Sequence, residues 1–140
     1  MLIIYEGKDS STIRILIADD HAIVREGIKQ ILSGTSDIVV AGEARDGNEV
    51  MEKLVNDNFD LIILDITMPG KSGLEVLKDI KNHRPRLPVL ILSMYPAEQY
   101  AERVLKEGAS GYISKECAPN ELIKAIRQIH KGIKYHCPST

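Results

Sequence analysis

The sequence predicts an α/β fold, a doubly wound sheet of five parallel strands in the order 2-1-3-4-5. Three observations predict it. Short apolar, β-branched runs bounded by turn residues recur five times. Each is followed by a stretch of helical periodicity. Units of that kind, joined by right-handed crossovers, leave few topologies, and helices must then cover both faces.

The elements follow in order. A strand over Ile13–Ala18 leads into a helix from Ala22 to Leu32, with Ile23, Val24, Ile28, Ile31 and Leu32 on one face and Gly34 as its stop. The run from Ile38 to Ala41 is followed by Asp46, a helix N-cap, with Val50, Leu54 and Val55 turned inward. Leu61–Leu64 precedes a helix from about Ser72 to Asn82, with Leu74, Leu77 and Ile80 inward, ending before Pro85. Val89–Leu92 precedes one from about Ala97 to Glu107, with Val104 and Leu105 apolar and Gly108 at the stop. Gly111–Ile113 precedes a last helix opening at Pro119, a good first helical residue, with Leu122, Ile126, Ile129 and Ile133 along one stripe.

Composition narrows the function classes. The 140 residues amount to about one domain, large enough to bury a core without staples. A chain 44% hydrophobic and 27% charged is too apolar for disorder and too polar for a membrane protein. No apolar run approaches the roughly 20 residues of a membrane span, and Met1 to Tyr5 is too short for a signal-peptide core. A net charge of −2 argues for neither a nucleic-acid nor a membrane partner. Two cysteines, Cys117 and Cys137, make no framework, and a reduced, cytoplasmic protein is the simpler expectation. Residues 1–12 read as an N-terminal extension, 13–133 as the domain and 134–140 as the start of a linker, which favours a truncated chain over a stand-alone domain.

The chemistry sits at the strand ends. Asp19 and Asp20 follow the first run, Asp65 the third and Ser93 the fourth, and Lys115 comes just after the fifth. Ligands of open parallel sheets bind outside the carboxyl ends of the strands, where the order reverses, here between strands one and three. Three carboxylates on one rim repel by about 4 kcal/mol per pair at ~4 Å and an effective dielectric of 20. One lysine offsets only part of that, so a hard divalent cation is expected, and an all-oxygen donor set suits Mg²⁺. Mg²⁺ shares its shell with phosphate, for which Lys115 and Ser93 supply a cation and a hydroxyl. An aspartate is a competent nucleophile toward phosphorus, so the rim reads as a site of aspartyl phosphorylation on Asp65. Taken singly, each residue has a plainer role: Asp20 as a helix cap, Ser93 as a turn residue, Lys115 as a solvated charge. Only their joint placement favours the site.

These residues carry a resemblance. Ile17-Ala18-Asp19-Asp20-His21, Leu64-Asp65-Ile66-Thr67-Met68-Pro69-Gly70, Ile91-Leu92-Ser93 and Gly108-Ala109-Ser110-Gly111-Tyr112-Ile113-Ser114-Lys115 resemble the motifs of a response-regulator receiver domain of two-component signalling. The match spans about residues 13–133, and Val24-Arg25-Glu26-Gly27 after the Asp-Asp-His makes it similar to the NarL/FixJ (LuxR-like) subfamily. The resemblance implies a flavodoxin-like receiver fold and a switch with no chemistry beyond its own phosphorylation and dephosphorylation. It implies that a histidine kinase phosphorylates Asp65, and that Asp19, Asp20, Asp65 and the Thr67 backbone carbonyl hold Mg²⁺. It further implies that Lys115 pairs with the phosphoryl group while Ser93 turns toward it and Tyr112 changes rotamer in step. Met68, Pro69, Gly70 and Gly73 would shape the loop after Asp65, and Thr67 and Tyr95 would tune the acyl-phosphate lifetime. Homodimerisation on phosphorylation and transcription control through a DNA-binding helix-turn-helix domain, absent after Ile133, complete the implied picture. The basic residues Lys124, Arg127, Lys131 and Lys134 read as a solvated face.

Competing chemistries fit less well. Gly70-Lys71-Ser72 resembles the end of a P-loop, but Asp65 stands where that motif needs glycine. Asp19 and Asp20 are wrong for the first phosphate loop of a flavin binder. A haloacid-dehalogenase phosphatase, the alternative reading, also uses Mg²⁺ and an aspartyl phosphate. Its nucleophile follows the first strand with an acid two residues on, whereas here Thr67 occupies that second position. His21 reads as a metal ligand or a general base, but an orienting neighbour of the acidic loop, or simply a surface histidine, is the simpler role.

Overall fold

Successive residues of the central strands point to opposite faces of the sheet, so a strand covered on both sides must be apolar throughout. The runs Leu61–Leu64 and Val89–Leu92 satisfy this, Asp65 and Ser93 close the two strands, and every residue of both strands is buried. The structure is a computed structural model that describes residues 12–66, 70, 72–94 and 97–136, the side chains of 97–100 and 136 excepted. Thr67, Met68, Pro69 and Tyr95 lie outside the described residues.

The strands are β1 (Ile13–Ala18), β2 (Ile38–Ala44), β3 (Leu61–Asp65), β4 (Val89–Ser93), β5 (Gly111–Ser114) and β6 (Tyr135–His136). The helices are α1 (Ala22–Leu32), α2 (Gly47–Asn56), α3 (Gly73–His83), α4 (Ala97–Lys106) and α5 (Ala118–His130). All neighbouring strands pair in parallel, in the order β2-β1-β3-β4-β5-β6. The expected five-stranded order is present, with β6 as an addition beyond β5.

Alternation divides the interior into two cores. Leu16, Ala18, Ile62, Leu64, Val89, Ile91 and Tyr112 face α2, α3 and α4. Ile15, Ile17, Leu61, Ile63, Leu90, Leu92 and Ile113 face α1 and α5. Each such aliphatic side chain contributes roughly 1.5–3 kcal/mol of burial, enough to hold five strand ends in fixed relation.

Local signals set the helix starts. The Asp46 carboxylate accepts from the Glu49 amide (2.9 Å), as expected of an N-cap. Ser72 caps α3 rather than beginning it, in a reciprocal box with Glu75. Helix α3 starts at a glycine for lack of room: a Cβ on Gly73 would lie 2.4 Å from the Ile66 Cα. The Gly73 amide also donates to the Ile66 carbonyl (3.0 Å), so α3 is pinned against the residue that follows Asp65.

Several expectations need correction. Ile23 and Val55 are exposed, each about 100° around its helix from the buried stripe beside it. Helix α5 starts at Ala118 and stops at His130, where Gly132 takes a positive φ of 91°, so Ile133 lies beyond the helix and is exposed. β2 runs three residues further than its apolar core, to Ala44, because its pairing with β1 continues past a register shift at Ile15/Leu16. Cys117 is disulfide-bonded, which corrects the expectation of reduced cysteines: a single bridge requires proximity, not a framework, and composition carries no proximity. Cys137 lies outside the described residues. Among the described residues no helix is long and apolar enough to cross a membrane.

Candidate functional site

Three strand ends bring the acids together. Asp65 is the last residue of the central strand β3, and its side chain is 0% exposed. Asp19 follows β1, where its amide makes a last rung with the Ala44 carbonyl (3.0 Å); its side chain is 2% exposed. Asp20 stands one residue further out at 28%. Carboxylate oxygens of the three, with a His21 ring nitrogen, all lie within 4.8 Å of one another.

Lys115 approaches from β5. Its Nζ is 3.4 Å from Asp19 Oδ2 and 3.8 Å from Asp65 Oδ1, with the side chain 20% exposed. Lys115 donates its amide to the Ser93 carbonyl (2.7 Å), so the ammonium-bearing residue is fixed to the end of β4. Ser93 is fully buried there, opposite Ser114. Neither residue is the turn position or solvated charge it would be singly. Tyr112 is fully buried one strand over, opposite Ile91.

His21 caps α1 with no side-chain cap bond, so Asp20 is not the helix cap. The His21 amide donates to Asp19 Oδ1 (2.9 Å), and its Nδ1 lies 3.1 Å from both Asp19 Oδ1 and Asp20 Oδ1. A ring nitrogen at 3.1 Å from two carboxylates is placed to orient them in the tautomer that donates from Nδ1. That favours the orienting role over metal ligation. Of the other histidines, His83 and His130 are exposed.

The donor set fits a hard cation. Asp19 Oδ2 and Asp20 Oδ1 are buried without a hydrogen bond, with only the close contacts to Lys115 and His21 beside them, an arrangement that costs free energy unless further positive charge approaches. Lys115 supplies one unit against three carboxylates. All three acids offer oxygen, with no sulfur among the donors, which suits a divalent ion of the Mg²⁺ kind. A separate surface cavity of about 450 Å³, lined by Phe59, Asp60, Arg84 and Pro88, lies at the opposite ends of β3 and β4 and contributes nothing to this cluster.

Sequence reasoning did not single out Arg25 or Glu43 for a role at the site. Arg25 Nη1 donates to the Asp19 carbonyl (2.7 Å) and its Nε to Glu43 Oε1 (2.8 Å), while Lys29 Nζ donates to Glu43 Oε2 (2.8 Å). The signal was obscured because Glu43 lies in the part of β2 that its apolar run does not reveal.

Comparison with known proteins agrees with this geometry. Residues 15–127 match the family model of the response regulator receiver domain. The chain is 42% identical over 123 residues to the oxygen regulatory protein NreC of Staphylococcus haemolyticus, covering 87% of this chain and 57% of that protein. It is 38% identical over 133 residues to the transcriptional regulatory protein DegU of Brevibacillus brevis, covering 95% of this chain and 56% of DegU. The chain thus spans a little over half the length of these curated relatives. Among solved structures it resembles a LuxR-family two-component response regulator from Aurantimonas sp. SI85-9A1, with a TM-score of 0.86, 34% identity and 91% of each chain covered. It also resembles the isolated REC domain of RcsB from Salmonella enterica serovar Typhimurium with phosphomimetic BeF3⁻, with a TM-score of 0.83, 32% identity, and 90% of this chain and 94% of that one covered. The haloacid-dehalogenase alternative gains no support from these likenesses. The chain belongs to the response-regulator receiver domain family, as the receiver of a two-component response regulator of the LuxR (NarL/FixJ) type.

Proposed function

We propose that Asp65 is the phosphoacceptor of this receiver, and that a histidine kinase is its donor. The observation that carries this reading is the buried Asp65 carboxylate at the end of the central strand, with the Lys115 ammonium 3.8 Å away and Asp19 and Asp20 beside it. A carboxylate oxygen of Asp65 attacks phosphorus; an oxygen–phosphorus bond forms as the phosphorus–nitrogen bond of the donor phosphohistidine breaks, and the departing imidazole keeps the electron pair and takes up a proton. Asp19, Asp20 and Asp65, with the Thr67 carbonyl as a further ligand, would hold Mg²⁺, which supplies charge neutralisation for the incoming phosphoryl oxygens. Lys115 binds one phosphoryl oxygen and the Ser93 hydroxyl donates to another. Hydrolysis of the acyl phosphate resets the switch, so the chain turns over no other substrate.

The output reading extends the same chemistry. Movement of Lys115 and Ser93 toward the phosphoryl group biases Tyr112 and the α4–β5–α5 surface, on which the protein dimerises. A helix-turn-helix domain following the receiver then binds DNA in the cytoplasm. Supporting this are the relatives' names as regulators and a solved structure described as two RcsB dimers bound to two parallel DNAs. Shifting the equilibrium from 1:99 to 99:1 takes about 5.5 kcal/mol of differential stabilisation, within reach of a charge-assisted pair and a hydrogen bond in a buried site.

The test is phosphoryl incorporation from a small acyl-phosphate or phosphoramidate donor with Mg²⁺, read by intact mass. Wild type and Lys115→Ala take up one group, whereas Asp65→Asn takes up none. Incorporation by Asp65→Asn equal to wild type overturns the assignment.

A further inference from the structure

The acidic loop is held from behind by one side chain. On leaving β1, Asp19 uses its amide in the rung to Ala44, and its carbonyl is met by a side chain. Arg25, in the first turn of α1, fills that position with Nη1 at 2.7 Å. Its Nε is engaged by Glu43 at 2.8 Å, and the Arg25 side chain is 14% exposed. Glu43 is in turn gripped by Lys29, and these two cations, Lys29 foremost, hold its carboxyl below the usual range. A guanidinium bracketed on two sides cannot swing away, and its planar fork fixes both contacts at once.

The Asp19 carbonyl belongs to the peptide plane that joins Asp19 to Asp20. Fixing its oxygen fixes the rotation of that plane, and with it the directions in which the two Cβ atoms leave the backbone. We infer that Arg25 is a positioning residue for divalent-cation binding, acting through the Asp19 main chain to aim the Asp19 and Asp20 carboxylates. The inference rests on reading the acidic cluster as a cation site, and it assigns a role to a residue that touches neither the cation nor the phosphoryl group.

Electrostatics and positioning make opposite predictions, which gives a clean test. Removing a cation beside an acidic cluster raises its affinity for a divalent ion if charge alone matters. Loss of a group that orients ligands lowers affinity, commonly by 10–100-fold. The experiment titrates Mn²⁺ into the full chain, read by the electron paramagnetic resonance of free Mn²⁺, with Mg²⁺ as competitor. The variants are Arg25→Gln, Arg25→Lys and Lys29→Met, each checked for folding by circular dichroism and by melting without metal. Lys29→Met loosens the same tie between α1 and β2 but leaves the Asp19 carbonyl bonded, so it controls for stability.

Arg25→Gln is expected to bind Mn²⁺ about tenfold more weakly. Arg25→Lys, whose single ammonium cannot span both partners, falls with it, and Lys29→Met stays within about twofold of wild type. Affinity of Arg25→Gln at or above wild type overturns the inference, as does an equal loss in Lys29→Met. If wild type itself binds no Mn²⁺, the reading of the cluster as a cation site fails. Should Arg25→Gln not fold, Arg25→Lys decides by the same criterion.

Discussion

Ser93 and Lys115 are joined through their main chains, the Lys115 amide donating to the Ser93 carbonyl at 2.7 Å. The serine that ends β4 and the lysine whose ammonium meets the acidic cluster therefore stand on adjacent strand ends and cannot drift apart independently. Any shift of the β5 end in response to charge at Asp65 must carry the end of β4 with it.

Lys115 places a compensating charge 3.4 Å from Asp19 and 3.8 Å from Asp65. Lys115→Ala is expected to lower stability by roughly 1–3 kcal/mol in metal-free buffer, the usual cost of stranding buried charge. Saturating Mg²⁺ should narrow the difference, since it supplies the missing positive charge. Urea unfolding with and without Mg²⁺ measures both; a loss unaffected by Mg²⁺ would separate the ammonium from the cation site.

Asp65→Asn should act in the opposite sense. Removing one of three clustered carboxylates relieves repulsion, so the metal-free variant gains about 1 kcal/mol or more. Wild type at a hundredfold excess of Mg²⁺ over its dissociation constant gains about 2.7 kcal/mol, and Asp65→Asn should lose most of that increment. Thermal melting across a Mg²⁺ series reads the two effects separately.

Gly73→Ala tests the seating of α3. The added methyl would meet Ile66 main-chain atoms at 2.4–2.7 Å, and neither element is a flexible side-chain tip that gives way. A loss of about 2–4 kcal/mol is expected, together with weaker phosphoryl incorporation, because Ile66 directly follows Asp65. Gly27→Ala, where nothing lies within 4 Å of the new Cβ, serves as the unhindered comparison.

Tyr135 predicts an alkaline effect. Burial, aided by its hydrogen bond to Glu121, pushes the phenol from 10.0 up to about 12. A folded-state value above the unfolded one favours the protonated phenol in the folded chain. Its contribution is complete below pH 10 and drains as pH rises toward about 12. Tyr135→Phe should therefore lose less stability than wild type over that window, as followed by urea midpoints at successive pH values. Parallel curves would detach the titration from folding.

Much of the sheet was legible because strands covered on both faces leave unbroken apolar runs, as at Leu61–Leu64 and Val89–Leu92. The acids were legible for a related reason: in a parallel sheet, the residue that ends such a run is delivered to one rim. Elements held by pairing rather than by their own pattern were not. The last residues of β2, with Glu43 among them, are polar enough to read as loop. β6 is two residues long and owes its existence to Gly111 and to the turn at Gly132. Ile23 and Val55 misled because an apolar residue adjacent to a buried stripe satisfies periodicity without facing the core. The Cys117 bond was invisible for want of any sequence rule linking distant thiols.

Gly111 has one further consequence. A Cβ there would lie 2.7 Å from the Tyr135 carbonyl oxygen, so the bare glycine is what allows the returning chain to lie against β5. With Tyr135 seated among the side chains of the α1/α5 core and its amide on the Ser110 carbonyl, the hydrogen-bonding margin of β5 is already taken by the molecule itself. A foreign strand seeking to extend the sheet on that side finds a two-residue stub in its place, a guard against open-ended stacking of copies.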